Sequence, residues 1–198
     1  MIINRLFENP FIYTHFRKMA AGSQNGTKRF ISDYLMKYSC ESVMDLCCGT
    51  GDFAPCIGDI YYLGLDNNRV FIDYAKLRFR GQKNIQFKCC DILRTPIGNK
   101  YDAAILVSAV HHFSDKDMEV IIRLLKQYIK KIIIVADIIP NPPSAIGRWL
   151  VKLDRGEKIR TAEEKIELFK KDFDIIKTQL IPSLFAYQFG IVAIHRKK

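Results

Sequence analysis

The run Val43-Met44-Asp45-Leu46-Cys47-Cys48-Gly49-Thr50-Gly51 constrains the fold of this chain more than any other segment. An apolar strand holding an acid near its end breaks into a turn with two glycines. Glycine has no Cβ, so such a turn lets the backbone approach a bound molecule closely. The pattern predicts a strand–turn–helix elbow, with the helix opening directly behind the turn over residues 53–58. A second apolar run, Ile60 to Leu65, then ends on another acid, Asp66. A carboxylate at the end of the second strand of a βαβ unit is placed to accept hydrogen bonds from both hydroxyls of a ribose. Together the two segments read as a site for a ligand that carries a nucleoside.

Strands and helices alternate from Val43 onward. Strands are expected over 43–47, 61–66, 84–90, 102–108 and 131–137, and helices over 53–58, 69–80 and 116–129. Unbroken apolar strands such as Ala103 to Val107 and Ile132 to Ala136 suit a parallel sheet covered on both faces. The prolines at 140, 142 and 143 stop regular structure, a short segment spans Ala145 to Leu153, and Thr161-Ala162-Glu163-Glu164 is a capping box opening a helix. Two strands, 173–181 and 184–195, close the series as an antiparallel pair at one side of the sheet. Residues 4–38 read as two amphipathic helices broken near 22–26. The expectation is a single domain of 1–198, with residues 1–40 as an N-terminal helical lid. Residues 41–198 form the α/β core and carry a substrate-side insertion at 140–160.

The nature of the ligand follows from the acids. Gly49-Thr50-Gly51-Asp52-Phe53-Ala54 formally fits the dinucleotide pattern G-x-G-x-x-G/A. A pyrophosphate would be repelled by Asp52 in the first turn behind the glycines, and Asp45 has no place in that fingerprint. A ligand bearing positive charge is welcome there. The series Asp45-x-Cys47-x-Gly49-x-Gly51 followed by Asp66 resembles motifs I and II of the class I S-adenosylmethionine (SAM) methyltransferases, with Cys47 standing where that family often has glycine.

That resemblance covers about residues 40–195. It implies a Rossmann-like, seven-stranded, mostly parallel sheet with its last strand reversed and helices on both faces. It also implies SAM as cofactor, leaving as S-adenosylhomocysteine. Carried onto this sequence, Cys47, Gly49 and Gly51 give the backbone around the methionine moiety and ribose. Asp45 serves the ammonium, Asp66 the ribose hydroxyls, and Asn67 flanks the adenine. Asp91 faces the adenine amino group with Ile92 beside the ring, and Ser108 and Ala109 lie along the methionine part.

The segment Ser108-Ala109-Val110-His111-His112-Phe113-Ser114-Asp115 resembles the family's motif IV, in which either His111 or His112 would be a general base, since imidazole titrates near neutrality. The competing reading makes the pair a structural turn before an Asp115-capped helix. Asp137, ending the fifth strand, serves either substrate or the backbone of the proline-rich turn. Asn141-Pro142-Pro143-Ser144 follows strand 5 and has no aromatic to stack on a base, so it is not the motif of methyltransferases acting on exocyclic amino groups. The N-terminal helices and residues 145–160, with aromatics such as Phe7, Phe11, Phe16 and Trp149, are expected to roof an apolar pocket. In these features the chain looks most like the ubiquinone- and menaquinone-biosynthesis methyltransferases. The acceptor implied is small, partly apolar and lipid- or quinone-like.

Composition narrows the rest. No apolar run of the 198 residues approaches a membrane span, and the first residues lack a signal peptide's pattern, which points to a soluble, cytoplasmic protein. The six cysteines include two adjacent pairs and no C-x-x-C spacing, so neither a disulfide framework nor a metal site is expected. Net charge is +10, and its excess sits at the flanks: residues 130–198 hold 14 Lys and Arg against eight Asp and Glu, while residues 43–129 are nearly balanced. Solubility explains such flanks, as does attraction to an anionic membrane surface. Nucleic acid is the less favoured partner, and oligomeric state is open. Two alternatives stand beside the small-molecule enzyme: an RNA or protein methyltransferase using the basic flanks, and a non-catalytic SAM-binding partner protein.

Overall fold

The computed structural model describes residues 24–153, 156–185 and 187–196. Seven strands form one sheet in the order β3-β2-β1-β4-β5-β7-β6. They are β1 (Ser42–Leu46), β2 (Tyr61–Asp66), β3 (Ile85–Cys89), β4 (Tyr101–Val107), β5 (Ile129–Ile138), β6 (Phe173–Pro182) and β7 (Tyr187–His195). β7 pairs antiparallel with both β5 and β6, and the pairs among β1 to β5 are parallel. The reversed last strand is therefore as the family resemblance implies.

The helices are α1 (Asn25–Lys37), α2 (Arg69–Arg78), α3 (Asp115–Tyr128), α4 (Ala145–Leu153) and α5 (Ala162–Lys170). Local chemistry sets their starts. Asn68 caps α2 by accepting from the amides of Val70 and Phe71. Ser114 with Asp117 and Thr161 with Glu164 build reciprocal capping boxes on α3 and α5. Two buried layers cover the sheet. One joins Phe30, Ile31 and Leu35 of α1 and Ile72 of α2 to alternate residues of the central strands, and the other joins Met118, Ile121 and Leu125 of α3 to the opposite alternation. All seven residues of β4 are buried, as a central parallel strand requires.

Two expectations are corrected. No α-helix follows the glycine turn: a single turn of 3₁₀ helix, Ala54–Cys56, takes its place. Pro55 sits within that turn and Gly58 adopts a positive φ, so too few residues remain before β2 to propagate an α-helix. Second, α1 begins at Asn25 within the expected break and lies on a sheet face, with Phe30, Ile31 and Leu35 in the core. The earlier part of the expected lid, including Phe7, Phe11 and Phe16, lies outside the described residues. Among the described residues no helix is long and apolar enough to cross a membrane.

Candidate active site

Chain direction across the sheet reverses between β1 and β4, and at such a switch point the loops leaving two neighbouring strands diverge and open a crevice. A cleft of about 430 Å³ lies there, at the C-terminal ends of β1 to β4. The parallel register brings the acids together. Asp45 pairs across to Gly64 and Ile105, and Asp66 pairs with Cys89, two residues before Asp91. Asp45, Asp66 and Asp91 all line the cleft, with Cys47, Gly49, Asn67, Ile92, Ser108 and His112.

The glycine turn is held by Asp66. The Gly49 amide donates to its Oδ2 at 2.8 Å and the Asn68 amide to its Oδ1 at 2.8 Å. Each carboxylate oxygen keeps capacity for a further bond. Burial pushes the Asp66 carboxyl above its ordinary range, and the two amides work against that rise. Gly49 sits at φ 55° with open space where a side chain would project. Cys47 has the same left-handed conformation at φ 61° without glycine's freedom. Its thiol is pushed strongly upward, first by burial and then by Asp66 and Asp45, so it is no thiolate nucleophile.

The other acids differ in their partners. Asp45, 1% exposed, accepts a 2.5 Å hydrogen bond from the Tyr62 hydroxyl, whose own ionisation burial and Asp45 both suppress. Asp52 is bound by the Arg78 guanidinium and the Thr50 hydroxyl. The expected repulsion from Asp52 is thereby offset, so Asp45, Asp66 and Asp91 carry the site's acidic character. Asp91 accepts from the Leu93 amide at 3.0 Å and pairs with Arg94 at 3.4 Å, acting as loop residue and cleft wall together.

Three residues singled out from the sequence lie off the cleft lining. Gly51 turns toward aromatic rings, where a Cβ would meet Phe87 carbons at 2.7 and 2.8 Å. Ala109 is fully buried in the core beside β4. His111 is 2% exposed, with Nδ1 2.6 Å from Asp137 Oδ1, and its ring lies 4.1 Å from that of His112, which does face the cleft. Asp137 thus holds His111 and not the proline-rich turn; its Oδ2 is buried with no hydrogen-bond partner among the described residues. Trp149 is 59% exposed and does not close over the cleft.

The sequence reading missed several participants. Gln188 of β7, 4% exposed, donates to the Ser108 hydroxyl at 2.9 Å and accepts from Thr27 of α1 at 2.5 Å, joining three elements behind the cleft. Arg160 reaches the carbonyls of Val110 and Phe113 and the Asp115 carboxylate, tying the segment before α5 to the His111-His112 turn. Lys158 adds its amide to the His111 carbonyl and its ammonium to Asp115. These contacts span many tens of residues, so no local spacing announces them. A lone Gln in an otherwise apolar run is the one hint of this that the sequence holds.

A switch-point cleft walled by carboxylates, under a sheet with a reversed final strand, defines a Rossmann-like methyltransferase fold. The comparisons agree. A methyltransferase domain family matches residues 43–131. The demethylmenaquinone methyltransferase of Lactobacillus johnsonii is 30% identical over 121 residues, which is 54% of this chain and 49% of that protein. A mouse tRNA (carboxymethyluridine(34)-5-O)-methyltransferase is 28% identical over 79 residues, 39% of this chain and 11% of that protein. The chain therefore spans about half, or much less, of the length of these curated relatives. Among solved structures, magnesium protoporphyrin IX methyltransferase of Synechocystis, with bound S-adenosylhomocysteine, superposes with a TM-score of 0.74 at 16% identity, covering 98% of this chain and 99% of that one. Human N-acetylserotonin methyltransferase, in complex with SAM, gives 0.69 at 18% identity over 97% of this chain and 58% of that one. Residues 43–131 thus match a methyltransferase domain family, and the chain as a whole has the fold of the class I SAM-dependent methyltransferases.

The residues present fit that family's cofactor, SAM. Three carboxylates suit a ligand with a sulfonium, an ammonium and a vicinal diol. Gly49 leaves open the space into which such a ligand would settle.

Proposed function

We propose that this chain transfers the methyl group of SAM to a small, partly apolar acceptor of lipid- or quinone-like character. The observation that carries the reading is the row of Asp45, Asp66 and Asp91 along one rim beside the open Gly49 turn. Asp66 would accept from the ribose hydroxyls, Asp91 would face the adenine amino group, and Asp45 would serve the ammonium. Ser108, fixed by Gln188, would border the methionine part.

When bound, the cofactor supplies a methyl carbon activated by sulfonium: an acceptor lone pair forms the new bond as the carbon–sulfur pair returns to sulfur. The protein's task is alignment and exclusion of water, and no covalent enzyme nucleophile is needed. Where the acceptor carries a hydroxyl, a proton must leave it. His112 is the imidazole on the cleft wall and is the proposed base; His111, clamped by Asp137, supports its ring from behind. Phe53, Phe71 and Phe113 on the wall favour a partly apolar acceptor. The similarity to a demethylmenaquinone methyltransferase supports the same class.

The test is calorimetry with S-adenosylhomocysteine and NAD, followed by methyl transfer from labelled SAM to a demethylated quinol. Binding of the first ligand and not the second, with label in the quinol, is expected. No heat with S-adenosylhomocysteine would overturn the cofactor assignment, and cofactor binding without transfer to any acceptor would favour the partner-protein reading. The similarity to tRNA methyltransferases and the basic flanks favour one second reading, methylation of RNA. It predicts RNA affinity that falls steeply with salt and label transferred to transfer RNA.

A further inference from the structure

We infer that α4 and the loop between β6 and β7 form a docking surface for an anionic lipid bilayer, placed on the same rim as the cleft; this rests on the lipid-like acceptor proposed above. α4 leaves β5 at the C-terminal end of the sheet. Because β7 runs antiparallel to β5, with Gln188 opposite Ile138, the loop entering β7 reaches that same end. The two are locked together. Ser144 donates to the Phe185 carbonyl at 2.6 Å and accepts from the Gly147 amide at 2.8 Å. The Phe185 carbonyl lies so near Gly147 that a Cβ there would stand 2.0 Å from it. The start of the helix is therefore joined to Phe185 of the loop.

What helix and loop present outward is apolar and basic. Ile146 is 53% exposed, Trp149 59%, and Leu184 of the loop 59%. Residues 146, 149 and 150 share one helix face at 3.6-residue spacing, with Gly147 turned to the loop. Lys152 borders that face, Arg148 lies one turn earlier and farther round the helix, and α4 contains no acid. Arg148 is held by the carbonyls of Pro142 and Pro143, which fix the guanidinium without neutralising it. A tryptophan and aliphatic side chains facing out beside cations with no acidic partner among the described residues match the boundary between acyl chains and anionic headgroups. Seated there, the cleft would open toward the layer in which a lipid-like acceptor dissolves.

The chain contains one tryptophan, so Trp149 reports its own surroundings. The experiment mixes the full chain with phosphatidylcholine vesicles, with and without phosphatidylglycerol, and records tryptophan emission and cosedimentation. A blue shift and sedimentation are expected with the anionic vesicles, weakening as salt rises. Lys152→Ala should lower partitioning about fivefold, and Ile146→Asp should lower it further. Both variants should bind S-adenosylhomocysteine like the parent, which shows that they fold. No partitioning by a protein that binds S-adenosylhomocysteine overturns the docking surface and leaves the cofactor assignment standing. Partitioning without cofactor binding does the reverse. A blue shift that appears without lipid on concentrating the protein, and vanishes in Ile146→Asp, means that a second copy covers the face and overturns the proposal.

Discussion

Replacing Asp66 by Asn changes one oxygen to an amide nitrogen at the point where the glycine turn and the proposed ribose site meet. The carboxylate accepts two backbone amides at 2.8 Å each and keeps one lone pair per oxygen for a diol. Hydrogen bonds to a charged acceptor contribute about 1.5–3 kcal/mol each. Loss of both ribose bonds, as in Asp66→Ala, should cost about 3–6 kcal/mol of cofactor affinity, or roughly a hundredfold to ten-thousandfold in Kd. Asn keeps one acceptor and turns its NH₂ toward an amide donor, so its loss should fall near the lower end of that range. Titration calorimetry with S-adenosylhomocysteine measures this, and urea unfolding shows that the variant remains folded. The pH dependence adds a second readout. Burial raises the folded carboxyl above its unfolded range. As pH rises through that interval the empty protein loses a little stability, because the folded state holds the proton more tightly. Cofactor affinity gains over the same interval, because the ionised form is the better acceptor. Asp66→Asn should abolish both slopes. A Kd within about threefold of the parent, with an unchanged pH profile, would refute the role of Asp66 and the geometry built on it.

Arg160→Ala should lower folding stability by about 3 kcal/mol, since a buried guanidinium bonded to two carbonyls and a carboxylate disappears. Arg160→Lys should recover less than half of this in urea unfolding, because an ammonium cannot span the same acceptors. Cys47→Gly should leave stability unchanged or raise it by up to about 1 kcal/mol, relief of the left-handed strain being partly offset by the entropy of an unfolded glycine. A fall of the urea midpoint would show that the thiol's packing outweighs its backbone. With a hydroxyl acceptor, His112→Gln should reduce kcat by about a hundredfold or more while the Kd for S-adenosylhomocysteine holds. Asp137→Asn should shift the pH profile of kcat through His111, again with the Kd retained, and a parental kcat and pH profile in both variants would remove the histidines from the chemistry.

The fold was legible because its central strands are apolar runs and two of its helices start on capping boxes, both local signals. The acids of the site were legible for a related reason: Asp45, Asp66 and Asp91 mark the ends of three parallel strands that register aligns into one rim. The helix expected after the glycine turn failed because Pro55 and Gly58 overrule a pattern read from the turn alone. His111 and His112 could not be told apart from adjacency, since only the packing shows which ring meets Asp137 and which the cleft. Gln188 and Arg160 act across the chain on Ser108 and Val110, and pairing at such distances leaves no trace in local spacing.

The strand made last among the seven is wedged between two made before it, and it carries the Gln188 amide that props Ser108. A nascent chain emerging from the ribosome can therefore assemble β1 to β5 and still lack this brace. Premature termination anywhere before position 188 should yield a half-finished sheet that leaves one edge of β5 unpaired and grips its nucleoside poorly. Competence for ligand would arrive in one late step, when β7 slots home.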